Sequence, residues 1–230
     1  MIRPILCEGL YDSWFLEEFI RKEYSKDAKC IDKDLGVFQR CYRSDYYFCQ
    51  DSIIILSDNG HELINKYIPK IFRDLFAKRI LSLHYCVLKD LDDSQPVDLL
   101  ESYCRIFNDA IKTKGMRDIF LSTNFSDNII SLISEKDHRI SFHFHFIFVP
   151  QSLEKIIVRK SLEMNRSLNK HKEDIESMEP HRALTKIACS FDIDTKEALI
   201  RRSVVDMWFS DDDWYKKLKE KIDFQLNGVT

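Results

Sequence analysis

Six carboxylates stand just past apolar, strand-like runs. Glu8 follows "IRPILC", with Asp12 four residues further on; Asp58 follows "SIIILS"; Asp90, Asp92 and Asp93 follow "LHYCVLK". Acids brought together from distant segments repel one another, so such a group is tolerated mainly with a cation in its midst. Hard oxygen ligands select Mg²⁺ or Mn²⁺, and this set has donors for one or two ions. The chemistry to expect is that of a divalent metal.

Spacing sharpens the expectation. In an extended segment residues i and i+2 point the same way, so Asp90 and Asp92 would face one ion. Gly9 permits a sharp turn after the first run, and Asp12 then falls in the first turn of a helix, facing back toward Glu8. Each acid also has a plainer reading. Asp12 suits a helix N-cap, Asp58-Asn59-Gly60 is an ordinary turn signal, and Asp90 to Ser94 could be a solvated turn leading into the next helix. Glu8, at the end of an apolar run, is the hardest to explain in that way.

The elements that must position these acids alternate. Ile2 to Cys7 reads as a strand, and Asp12 to Tyr24 as a helix whose apolar face is Phe15, Leu16, Phe19 and Ile20. Residues 29–51 are ambiguous, with "VFQRCYR" a possible strand. Ser52 to Ser57 has the unrelieved β-branched character of a strand buried on both faces. A helix from about Gly60 to Lys78, kinked near Pro69, precedes a second buried strand ending at Lys89. A helix over about 97–113 follows, then extended chain over 117–150, and residues 151–230 are mainly helical. This order predicts an α/β fold, a mainly parallel sheet flanked by helices, in an α/β domain over 1–150 with a helical extension over 151–230 packed on it. In such sheets, functional groups collect past the carboxyl ends of the strands.

Composition bounds the alternatives. The 230 residues are 44% hydrophobic with 16 Phe and 9 Tyr, enough for a substantial core, and carry a net charge of −3. A protein that coats nucleic acid non-specifically would be strongly basic, so any nucleic-acid contact must come from a local patch. Seven cysteines without a C-x-x-C pair fit buried, reduced thiols rather than a disulfide framework or a zinc site. No run approaches the ~18 apolar residues of a membrane span, and no signal-peptide pattern is evident; a cytoplasmic protein without membrane contact is expected.

Glu8-Gly9 after the first strand and Asp90-Leu91-Asp92 after a later one resemble the signature of the Toprim domain, shared by topoisomerases, bacterial primases, ribosomal-RNA maturation nucleases and OLD-family nucleases. Asp12, four residues after Glu8, resembles the second acid of the nuclease branch. "FIFVPQSLEKII" is similar to the late strand and following helix of small stand-alone Toprim proteins. The likeness covers about residues 1–160 and is weakest over 25–51. It implies that Asp90 and Asp92 bind Mg²⁺ or Mn²⁺, and that Glu8 is a general acid/base or a further ligand. Phosphodiester bonds of DNA or RNA would be hydrolysed, with an ATPase as a possible protein partner. Nothing resembles the topoisomerase domain that carries a nucleophilic tyrosine, so water is the expected nucleophile.

Two other functions compete. One is a non-catalytic, metal-stabilised module binding nucleic acid or protein. The other is a phosphotransferase of haloacid-dehalogenase type, with Asp90 as nucleophile, which leaves Glu8-Gly9 unexplained. His143 and His145 share a strand face opposite Phe142, Phe144, Phe146 and Phe148. Hydrogen bonding beneath a helical cap, or contact with substrate, is expected of them before metal binding. Arg201, Arg202 and the lysines at 216, 217, 219 and 221 are expected to form a solvated face rather than a phosphate-binding patch.

Overall fold

A computed structural model describes residues 3–32, 53–57 and 82–227. The first strand, β1 (Arg3–Cys7), leads through Gly9 into helix α1 (Leu10–Tyr24). Asp12 fixes that entry, because its Oδ2 accepts a hydrogen bond from the backbone N–H of Gly9 at 3.0 Å. Phe15, Leu16, Phe19 and Ile20 are fully buried, as the periodicity requires. Ser25, in the left-handed region with φ of 51°, ends the helix. Strands β2 (Ala28–Asp32) and β3 (Ile53–Ser57) follow, then β4 (Leu83–Asp90) and helix α2 (Pro96–Thr113), which has Pro96 at its first turn.

An antiparallel meander of β5 (Ile119–Asn124), β6 (Ile129–Ser134) and β7 (Ser141–Val149) completes the sheet. Helices α3 (Leu153–Met164), α4 (Lys172–Glu176), α5 (Pro180–Ser190), α6 (Lys196–Val205) and α7 (Asp213–Asn227) make up the rest, with a 3-10 segment at Arg166–His171. The fold is α/β, and its seven strands run in the order β2-β3-β1-β4-β7-β6-β5. β2, β3, β1, β4 and β7 are mutually parallel, while β6 and β5 run antiparallel beside them.

The strand pleat divides the core in two. Ile5, Ile53, Ile55, Cys86, Leu88 and Ile147 face α1 and the C-terminal helices, reaching as far as Leu218 and Ile222. Leu6, Leu56, Tyr85, Val87 and the phenylalanines at 142, 144, 146 and 148 face α2 through Leu100, Tyr103 and Phe107. Alternation along β7 thus sends the phenylalanines to one side and the histidines to the other. The region left ambiguous by sequence contains a strand at Ala28–Asp32. "VFQRCYR", the helix expected over 60–78 and Pro69 lie outside the described residues. Of the described cysteines, Cys7 and Cys86 are buried, Cys189 is exposed, and all are free thiols.

Candidate functional site

Three neighbouring parallel strands deliver the site. The register Leu6↔Val87 sets β1 beside β4, and Asp90↔Val149 sets β4 beside β7, so their carboxyl ends adjoin. Glu8, one residue past β1, reaches across to β4. Its Oε2 accepts the backbone N–H of Asp90 at 3.1 Å, and its Oε1 pairs with the Lys89 ammonium at 2.5 Å. Asp90, the last residue of β4, reaches toward β7: its Oδ1 accepts the N–H of Leu153, at the start of α3, at 3.2 Å. Leu91 N–H to the carbonyl of Val149 and Asp92 N–H to that of Gln151, both 3.0 Å, clamp the loop after β4 to the loop after β7.

The electrostatics show that the carboxylates sense one another. Burial raises the Asp12 pKa to about 7, helped by the charges of Glu154 and Glu8 and opposed by the N–H groups it accepts. Asp90 is pushed up to about 9, first by burial and then by Asp12, Glu8, Glu154 and Asp92. Burial and the Glu8 charge also raise Tyr103, and burial with Asp12, Cys30 and Glu8 keeps Cys7 a protonated thiol. The rim therefore joins acids from β1, α1, β4 and α3.

Glu8, Asp12, Asp90 and Asp92 are thus gathered as the sequence implies, with one change of geometry. The extended Asp90-Leu91-Asp92 segment is replaced by a turn: Asp92 has φ of 48°, and Ser94 N–H closes on the carbonyl of Leu91 at 2.8 Å. The parallel-carboxylate argument from extended spacing fails there, because the chain must reverse to enter α2. Asp92 acts on Asp90 through its charge, and Asp93 is exposed on the same turn. Asp58 lies outside the described residues.

Two members escaped the sequence reading. Glu154 occupies the first turn of α3 as Asp12 occupies that of α1. Applying the strand-end rule to β7 as well as to β1 and β4 would have found it. Lys89 is buried at the end of an apolar run, its side chain only 5% exposed, and a lone lysine there needs a partner carboxylate.

The donors fit a hard divalent cation by their chemistry. They are all carboxylate oxygens, and the mutual repulsion that adds to burial in raising Asp12 and Asp90 is what a cation would offset. As arranged, no three His, Cys, Asp or Glu side chains among the described residues converge as a ligand set. Side-chain rotation would be needed to close one.

The histidines and most of the basic candidates have structural partners. His84 Nδ1 and His145 Nε2 lie 2.9 Å apart, and His143 stacks on His84 with ring centroids 4.5 Å apart while bonding Ser131 and Ser141. Phe224 of α7 packs edge-on against His84, so the histidines do hydrogen-bond beneath the helical cap. Arg201 ties α6 to α1 through Glu17 and Glu18, Arg202 pairs with Asp206, and Lys219 with Glu23. No helix among the described residues is long and apolar enough to cross a membrane. No family model, curated protein or solved structure matches the chain.

Proposed function

We propose that the protein is a Mg²⁺- or Mn²⁺-dependent nuclease of Toprim type, hydrolysing phosphodiester bonds in DNA or RNA. The observation that carries this reading is the gathering of Glu8, Asp12, Asp90 and Glu154 from four separate segments at one sheet edge, close enough that Glu8 and Glu154 raise the pKa of Asp12 and that these three raise that of Asp90. Such repulsion destabilises the fold, and sites that retain it are typically functional.

Asp90 and Asp12, with Glu154 and Asp92 beside them, would hold the cation. When bound, the cation would neutralise the phosphodiester charge and assist attack by water. Asp90 is oriented by the N–H of Leu153, and Glu8 by Lys89 and the N–H of Asp90. Glu8 is then placed to take the proton of the attacking water. Lys89 sets its ammonium among the acids, and Cys7 and Tyr103 are buried near them in the cores on opposite faces of the sheet.

A second reading, a binding module without turnover, is favoured by the Lys89–Glu8 pair, which already neutralises one acid, and by the absence of a closed ligand set among the described residues. One screen separates the two. Plasmid, oligonucleotides and structured RNA are incubated with Mg²⁺ or Mn²⁺, beside Glu8→Ala and Asp90→Ala. Cleavage that falls by about a hundredfold or more in each variant supports the nuclease. Equal cleavage in all three proteins removes this site from the reaction, and nucleic-acid affinity without turnover selects the binding module.

A further inference from the structure

A cavity of about 420 Å³ lies between α3, α4 and α5, bordered by the loop after β7 at Gln151. Its floor is apolar, from Val158, Ile175, Met178 and Pro180, while Lys155 and Arg159 stand at its rim. Both cations are exposed and four residues apart, so they project from the same side of α3. The only ion pair described for Arg159 is a loose one to Glu163 at 3.9 Å, of the exposed kind worth under about 1 kcal/mol and readily exchanged for a phosphate. Glu176, the acid on the wall, lies 3.8 Å from Lys172.

The cavity borders the loop after β7, which is hydrogen-bonded to the acidic rim. Gln151 lines it, and the carbonyl of Gln151 accepts the N–H of Asp92. Lys155 directly follows Glu154 on α3, a rise of about 1.5 Å along the helix axis, so the basic rim begins at the residue next to the acid of α3. An apolar floor with two cations at its rim suits a flat base attached to a phosphate. The volume is at the lower end of the range for small-ligand sites, about 300–1,000 Å³. It admits one unstacked base, and bases inside a duplex are not available to enter it.

We propose that this cavity is a nucleotide subsite: it takes one unpaired base against Ile175 and Met178 and its phosphate against Lys155 and Arg159, making single-stranded nucleic acid the substrate class. The choice of ligand rests on the nuclease reading, but the binding itself does not require metal or cleavage.

The test is therefore metal-free calorimetry on the full chain with 5′-dTMP, thymidine and inorganic phosphate. The nucleotide should bind at least tenfold more tightly than either fragment. Lys155→Glu combined with Arg159→Glu should weaken it at least tenfold with an unchanged circular-dichroism spectrum, while Glu8→Ala should leave it within twofold. Equal affinity for phosphate and 5′-dTMP, or an affinity untouched by the double substitution, overturns the subsite. If the natural chain cleaves oligonucleotides and the double variant does so with the same KM, the subsite is wrong and the nuclease stands. If 5′-dTMP binds as described but no nucleic acid is cleaved, the nuclease fails and the subsite stands.

Discussion

Lys89 places its ammonium 2.5 Å from Oε1 of Glu8, joining the last turnings of β4 and β1 by a pair that is almost wholly withdrawn from water. The lysine side chain is 5% exposed and the glutamate 18%, so neither charge has full hydration to fall back on. The pair thus acts as an internal counter-ion within the acidic rim.

Lys89→Met should consequently destabilise the metal-free protein by about 2–4 kcal/mol, because it removes a buried cation held against Glu8 in the acidic rim. Urea unfolding measures this. Adding Glu8→Gln to the variant should recover most of the loss, since the charge that Lys89 offsets is then removed too; a double variant as unstable as the single one would show that packing, not charge, is responsible.

Asp12→Asn should do the reverse. The folded protein holds the Asp12 proton up to about pH 7, whereas an unfolded chain releases it near the ordinary value of 3.8. The folded state therefore binds more protons across that window, and stability falls as pH rises through it. Asparagine keeps the acceptor for the Gly9 N–H but carries no charge. The variant should be more stable than the natural chain by about 1–3 kcal/mol at pH 8 without metal, and no more stable at pH 4. It should also show a smaller rise in Tm on adding Mn²⁺.

The buried histidines set the acid limb. Burial and a neighbouring histidine lower His84 to about 4, and burial, His84, Lys221 and His143 lower His145 to about 3, against an ordinary 6.5. Here the unfolded chain binds more protons. Stability is complete above about pH 6.5 and is lost as pH falls toward 4 and below. The drop in Tm between pH 7 and pH 5 should shrink in His145→Gln, which removes one of the titrating rings under α7; an unchanged drop would assign the acid limb elsewhere.

Arg201→Ala should cost about 1–2 kcal/mol in urea unfolding, since its guanidinium bridges Glu17 and Glu18 of α1 to Glu197 of α6. Affinity for single-stranded oligonucleotides should stay within twofold. A larger fall would return this arginine to the phosphate-binding residues.

Much of this was legible in advance, and the reasons are local. The unbroken apolar runs at β3 and β4 can only be strands covered on both faces. The 3.6-residue face of α1 and the two-residue alternation of β7 each carry enough signal to assign an element and its buried side. Glu8 and Asp90 were visible because an acid ending such a run is out of place. What stayed hidden depends on tertiary partners. Lys89 looks like a strand terminus until β1 brings Glu8 against it. Glu154 looks like any acid favoured in a first helical turn until β7 is placed beside β4. The turn at Asp92 follows from the need to pair with Gln151, a residue 59 positions away. Hydrogen bonding beneath a helical cap, or contact with substrate, was expected of His143 and His145 from their shared face of β7, but their partner His84 lies on β4 and has no periodic signature.

The strand order carries a consequence for synthesis. β1 lies between β3 and β4, and β4 pairs with β7, so a ribosome that has released only the first half of the chain has made strands whose partners are not all yet available. Pairings of such long sequence separation close slowly. The acid of α3 joins last, so a nascent chain carries the early carboxylates without their full company until about two-thirds of its length has emerged. Assembly of the carboxylate rim, in this architecture, is a late event of translation.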